Sequence, residues 1–448
     1  MPEIFKFVEQ QNIDIVNQDR FRELNISFSP TAWPPKYLGL SNEWTSYYVG
    51  AEWLTENEAV VVTPKKIGPH KNQETDFIKL FLCALKFVPS AEYFSKFYDI
   101  NFEQPQIKTD AFTGQLTPLL IVHYLWCLNK ILSQGLKRNY IIREDNLKSK
   151  VRGRIMMQKN LQKNIFPQRI DRTYCKFQEY TVDIPENRLL KKALSFSENY
   201  LNNLASSDYH KSLNHLKRQI NQVKSAFSQI SDKIEIYEIK SLHSNNLFNQ
   251  YTEAIKIAKM ILQQFEYSTT KSSLVQKSVP PFWIDMSRLF EIYVYSKLYE
   301  SYGNVIQFQV SGHLKSVVDF IKTDEKLILD AKYKTRYQKE NSPLLTDIRE
   351  LSGYARDNKI LKAMGIQKAS STETENVVRC IIIYPEYQKM EFDDITDNEE
   401  KKEIEKFNEK ENNKETIFNQ PILELIKGHE IPYFREFYKL CIKLPVKN

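Results

Sequence analysis

Apolar and polar positions follow three different rhythms along this chain. The first hundred residues hold short β-type runs, 46–50 (SYYVG) and 59–63 (AVVVT), between proline-bearing turns such as Trp33-Pro-Pro-Lys36. They predict a strand-rich module over 1–115. From 119 to 132, just after Pro118, apolar residues crowd into one helix, and 187–204, 212–230 and 251–265 carry helical spacing with polar faces. Residues 116–275 are therefore expected to form a helical middle region. The Ser-, Thr- and Lys-rich stretch 268–276 is expected to be a linker.

Beyond the linker the pattern predicts a helix over 283–302, with Pro280 and Pro281 just ahead of it where proline is tolerated. β-type runs follow at 305–310, 314–321 and 326–335, then a helical segment at 345–361 and a strand at 377–384 ending at Pro385. The order is α-β-β-β-α-β. A charged stretch, 393–414, is expected to be a solvated insertion in this last domain, 276–448. The fold class expected is α+β multidomain, and no internal repeat is visible.

Length and composition agree with several globular domains: 448 residues, 25 Tyr, 26 Phe and only 11 Gly. No run nears the roughly 18 uninterrupted apolar residues of a membrane span, and MPEIFKFVEQ lacks a basic segment followed by an apolar one, so a cytoplasmic protein with no membrane partner is expected. Five scattered cysteines without a CxxC pair speak against a disulfide framework, structural zinc or an iron–sulfur cluster. The net charge of +7 permits a polyanionic partner and equally suits a lysine-rich surface.

Candidate chemistry lies in the run 326–334. Strand alternation puts Ile328, Asp330, Lys332 and Lys334 on one side. A two-residue turn at Asp324-Glu325 would pair Asp319 with Asp330 across the ladder. Asp-Glu is not a favoured turn of that length, so a longer loop with a slipped register is the alternative. Facing carboxylates destabilise a sheet unless something neutralises them. A hard cation such as Mg²⁺, with Mn²⁺ as substitute, does so through oxygen ligands, here Asp319, Asp330 and the Ala331 backbone carbonyl. Lys332 could then orient or deprotonate a water, or stabilise charge on a phosphate. Glu291 adds a third carboxylate on a helical stripe with Ile284, Tyr295 and Leu298. Glu350 and Tyr354, four apart on the next helix, are auxiliary candidates. Each piece alone has an ordinary reading: a surface ion pair for Asp330 and Lys332, a core arginine partner for Glu291, an exposed Glu and a half-buried Tyr. Lys332-Tyr-Lys-Thr-Arg336 could contact phosphates or be a solvated strand end.

At these residues the sequence resembles the McrC family, nuclease subunits of McrBC-type modification-dependent restriction systems. Ile284-Asp-Met-Ser-Arg-Leu-Phe-Glu-Ile-Tyr-Val294 is similar to its DMxxLFExYV helix, and Leu329-Asp-Ala-Lys-Tyr-Lys334 to its LDAKYK strand. Upstream, Val151-Arg-Gly-Arg-Ile155 and the block from Phe177 to Lys191 resemble its RGR element and FxExSxDxxxNRxLK block. Val318 stands where the family pattern has Pro, and Glu350 where Gln is common. The resemblance implies a PD-(D/E)XK nuclease domain with Glu291, Asp319, Asp330 and Lys332 as its catalytic set. It also implies double-stranded, base-modified DNA as substrate and a McrB-like AAA+ NTPase hexamer as partner, with the strand-rich module 1–115 and the helical middle as the part that docks on and stimulates it. The chain has no GxxxxGK[ST] loop and is not expected to hydrolyse nucleotide by itself. A non-catalytic adaptor that activates an AAA+ ring is the alternative, and a stand-alone RecB-like nuclease a third reading.

Overall fold

The structure, a computed structural model, describes residues 2–30, 32–65, 75–84, 96–101, 104–109, 111–112, 116–204, 210–234, 249–269, 278–334, 345–366, 377–386, 418–431 and 433–446. The expected insertion, 393–414, lies outside them, as does most of the expected linker. The chain divides into two compact units, Met1–Pro118 with Gln276–Asn448, and Leu119–Val275.

The first unit begins with strands β1 (Glu3–Val8), β2 (Tyr48–Trp53), β3 (Glu58–Thr63), β4 (Tyr98–Ile100) and the short β5 (Ile107–Lys108). Val60 and Val62 of β3 join Phe5, Phe21, Leu38 and Trp283 in one buried core. Its second segment adds β9 (Ser278–Val279), which pairs with β5, and β10 (Phe282–Asp285), which enters the N-terminal sheet in the order β1-β3-β2-β10-β4. The helix expected over 283–302 therefore starts later, at Met286, and runs to Tyr302. Phe282, Trp283 and Ile284 suit a buried strand as well as a helix, and pairing with Ala51, Gly50 and Val49 decides for the strand. Ile284 consequently shares no helical stripe with Glu291. Gly50 has to lack a side chain there, since a Cβ would lie 2.1 Å from the Phe282 carbonyl oxygen. Residues expected to form separate N- and C-terminal domains thus build one compact unit.

A second sheet follows: β11 (Ile306–Ser311), β12 (Val317–Lys322), β13 (Leu327–Ala331), β14 (Arg379–Pro385) and β15 (Phe437–Ile442), in that order. β11 to β13 are antiparallel, and β14 and β15 join them in parallel. Every residue of β13 is buried, as a strand covered on both faces requires. On one face Tyr295 of the Met286–Tyr302 helix stacks on Phe308, with centroids 4.5 Å apart. On the other, Ile348 and Leu351 of the helix Leu345–Tyr354, with Ile360 of Asn358–Ala363, pack against Ile328, Cys380 and Ile382. The helical segment expected over 345–361 is thus broken in two, and Asp357 caps the second piece by accepting the Lys359 amide at 2.8 Å.

In the second unit the helix Pro185–Leu204 packs with His210–Ala226 and Asn249–Thr269, and the helix Leu116–Gln134 is joined to it through Tyr124. Tyr124 donates to the Leu190 carbonyl at 2.5 Å, and Tyr251 to Asn187 Oδ1 at 2.9 Å. Among the described residues, Leu116–Gln134 is long and apolar enough to cross a membrane, and 67% of its most apolar window is buried inside the protein. Within the region expected to be helical lies a three-stranded antiparallel sheet: β6 (Asn139–Lys148), β7 (Arg154–Ile155) and β8 (Arg172–Thr181), ordered β6-β8-β7. Its strands are tied across the ladder by charges, Arg143 to Glu179 at 2.8 Å and Lys176 to Glu144 at 3.6 Å, and they expose Tyr140, Ile142 and Tyr180. Of these strands only Cys175 and Phe177 of β8 are buried, too few for an apolar alternation to mark them.

Gly153, inside the Val151–Ile155 motif, has φ +63°, and a Cβ there would meet the Lys176 carbonyl oxygen at 2.4 Å. Gly153→Ala is expected to cost about 1–3 kcal/mol from the left-handed backbone, with the overlap adding to it. A chemical-denaturation midpoint equal to that of the wild type would contradict this contact.

Candidate active site

The hairpin of β12 and β13 places the first two carboxylates. Phe320 pairs with Leu329, Ile321 with Ile328 and Lys322 with Leu327, so the same register carried one residue further sets Asp319 opposite Asp330. The turn is longer than Asp324-Glu325, spanning 323–326, yet the register does not slip. The Ala331 amide donates to Asp319 Oδ2 at 2.9 Å and fixes that carboxylate against the end of β13.

Lys332, just past the strand, reaches Asp330 Oδ2 at 2.8 Å and Glu350 Oε2 at 3.0 Å. The first contact is an ion pair by distance, but its alignment leaves the buried Asp330 Oδ2 without a proper hydrogen bond. Tyr354 donates to Glu350 Oε1 at 2.7 Å, one helical turn along Leu345–Tyr354. Thus Asp319, Asp330, Lys332, Glu350 and Tyr354 form one connected group. The ordinary reading of a surface ion pair does not describe Asp330, which is 2% exposed. The neighbouring Lys334 is held by Asp347 at 2.9 Å, and Thr335 and Arg336 lie outside the described residues.

Glu291 approaches from the Met286–Tyr302 helix, and Gln309 of β11 donates to its Oε1 at 2.9 Å. The helix entry is set by Asp285, which accepts the Arg288 amide at 3.0 Å and pairs with the Arg288 side chain at 3.3 Å. A cavity of about 440 Å³ opens beside Glu291, lined among others by Trp33, Tyr48, Asp285, Arg288 and Gln309. It meets the carboxylate group through Glu291 alone. Gln309 had no signal in the sequence; Asp285, an Asp just ahead of an apolar helix, carried the ordinary cap signal.

The electrostatics follow from crowding. Burial, then the charges of Asp330 and Glu291, hold the Asp319 carboxyl well above its ordinary range. Burial raises Asp330 as well, against the pull of Lys332. Glu291 is pushed up to about 7, first by burial and then by Asp330 and Asp285, and Asp285 itself to about 6 by burial. Burial would lower Lys332, but Asp330 and Glu350 together hold it above its usual value as an ammonium. Burial would raise Glu350 too, yet Tyr354 and Lys332 keep it below. Asp330, Glu350 and Asp319 thus share the field of one ammonium, Lys332, while Arg288 is the cation that acts on Glu291. Asp319, Asp330 and the carbonyl of Ala331 form a hard, all-oxygen donor set that could hold a divalent metal ion.

The strand end that carries Lys332 is anchored by the N-terminal segment of the same unit. Tyr333, buried and pointing away from Lys332, donates to Glu9 Oε1 at 2.7 Å, and its carbonyl accepts from Gln10 Nε2 at 3.1 Å. The Lys65 ammonium lies 4.4 Å from the Tyr333 ring centre, and the Lys65 amide donates to Glu9 Oε1 at 3.2 Å.

A sequence model of the family described as McrBC 5-methylcytosine restriction system component matches residues 45–348, which include Glu291, Asp319, Asp330 and Lys332. No curated protein matches the chain. Among solved structures, a chain of the refined half-complex from the tetradecameric assembly of Thermococcus gammatolerans McrB AAA+ hexamers with bound McrC is 16% identical. It covers 86% of this chain and 87% of its own at a TM-score of 0.33. A cryo-EM structure of the Thermococcus gammatolerans McrBC complex is 15% identical, with 66% and 87% covered and a TM-score of 0.29.

Folded Glu291 keeps its proton up to about 7, whereas an unfolded glutamic acid loses it around 4.5. Between those values the folded state binds the extra proton, so this stabilisation is complete below pH 4.5 and disappears as pH rises through 7. In protein kept in chelator, the melting temperature of wild type relative to Glu291→Gln is expected to fall across that window. A difference that is constant or rising with pH would contradict the crowding around Glu291.

Proposed function

The chain belongs to the family of McrBC 5-methylcytosine restriction system components, as a McrC-type protein, and from that premise we propose that it is the DNA-cutting subunit of such a system. It hydrolyses phosphodiester bonds of double-stranded, base-modified DNA at a PD-(D/E)XK site made of Glu291, Asp319, Asp330 and Lys332. The observation that carries this reading is the buried Asp330 carboxylate, 2.8 Å from the Lys332 ammonium and crowded by the charges of Asp319 and Glu291. A structural ion pair has no use for the extra negative charge, while a phosphodiesterase centre does. The order of a helix, three antiparallel strands, helix and parallel strand around β13 supports the same superfamily.

The donor set fits Mg²⁺, or Mn²⁺ in its place, with Asp319, Asp330 and the Ala331 carbonyl as ligands. Bound there, the cation supplies a polarised phosphoryl oxygen and a more acidic water. Lys332, kept protonated by Asp330 and Glu350, serves as a charged donor to a phosphate oxygen in the transition state and not as a base. Glu350 and Tyr354 hold its side chain in place. Glu291, with its carboxyl near 7, takes up or gives a proton at neutral pH.

The partner in this proposal is a McrB-like AAA+ ring. On the β6–β8 sheet unit two offers it an exposed apolar patch, where Tyr140 stands opposite Tyr180 and both, with Ile142, are more than half exposed. Scattered apolar residues are ordinary on a surface, whereas neighbouring exposed aromatics of this kind suit a docking site.

Cleavage of 5-methylcytosine-bearing plasmid, with Mg²⁺, the AAA+ partner and nucleotide, tests the reading. Asp330→Ala is expected to lose cutting by about a hundredfold or more while still stimulating nucleotide hydrolysis by the partner. Equal cutting by the variant would remove the proposed site, and a wild type that stimulates hydrolysis but never cuts would make the chain an adaptor.

A further inference from the structure

We propose that His123, Cys127 and Glu253 form a zinc-binding site in the second unit. His123 and Cys127 stand four residues apart on the helix Leu116–Gln134 and so share one of its faces. Glu253 comes from the helix Asn249–Thr269. One ligand atom of each lies within 4.8 Å of the other two, and His123 Nε2 is 3.0 Å from a Glu253 oxygen. A small movement of side chains closes this group around one ion.

The chemistry of the set selects the metal. Sulfur, nitrogen and oxygen donors together suit Zn²⁺, whereas Mg²⁺ and Ca²⁺ prefer oxygen alone. His123 and Cys127 are buried, but the Glu253 side chain is 40% exposed, which leaves an approach from solvent and room for a water as fourth ligand. Zinc enters by displacing one proton: the Cys127 thiol and Zn²⁺ give a zinc thiolate and H⁺.

The site is independent of the carboxylates around Asp330 and of the nuclease reading. It would clip together two helices whose ligands are 130 residues apart in sequence, a separation that no ligand-spacing motif spans. The ordinary alternative is a buried His–Glu hydrogen bond beside an inert thiol.

The test is titration of the full-length chain with Co²⁺, after tag removal and dialysis against chelator. One equivalent is expected to bind with a thiolate-to-cobalt absorption band and tetrahedral visible bands, and Zn²⁺ to displace it. Cys127→Ser should lose the thiolate band although Cys83 and Cys441 remain. Wild type without that band, or a variant that keeps it, overturns the site. Should Cys127→Ser fail to fold, Glu253→Gln, altered at a half-exposed side chain, decides the matter. About tenfold weaker Co²⁺ binding by the folded variant supports the site, and unchanged affinity overturns it.

Discussion

Negative charge gathered where water is scarce is the constraint on which the C-terminal sheet depends. Asp319 and Asp330 face each other across a ladder, Glu291 adds its field, and among the described residues Lys332 is the cation paired with Asp330. Like charges directly opposite on a sheet cost stability. The surroundings offset that cost locally: the Ala331 amide for Asp319, Gln309 for Glu291, and Lys332 for Asp330. What is left over, a raised carboxyl and an oxygen without an aligned donor, is the place where a divalent cation would do the most.

Rigidity around this charge comes from the N-terminal segment as much as from the second sheet. β10 belongs to the N-terminal sheet and ends in Asp285, the cap of the helix that delivers Glu291. On the other strand, Tyr333 is fastened to Glu9, Gln10 and Lys65 one residue after Lys332. Two of the proposed catalytic groups are therefore positioned by residues more than two hundred positions upstream. A site on strands and a helix, each tied at its end, keeps the geometry that phosphoryl chemistry requires.

The site was more legible in the sequence than the fold around it. Counting residues across one short turn already set Asp319 against Asp330, and four-residue spacing joined Glu350 to Tyr354, because both relations are local. Motif likeness then gave the family that the match over residues 45–348 shows. What escaped depended on distant pairing. Phe282–Asp285 reads as the start of a helix until β2 claims it. β6 and β8 leave most of their residues at the surface and bury only Cys175 and Phe177, so no clear apolar period marks them. Gln309 and the His123, Cys127 and Glu253 group become visible only when chain segments far apart meet.

The most direct test of the central claim is anomalous diffraction from crystals of the chain soaked in Mn²⁺. The account predicts a peak liganded by Asp319, Asp330 and the Ala331 carbonyl, with Lys332 moved from Asp330 toward the open side. Crystals that show no peak there, with Lys332 still on Asp330, would mean that the three carboxylates are a structural cluster and not a metal centre.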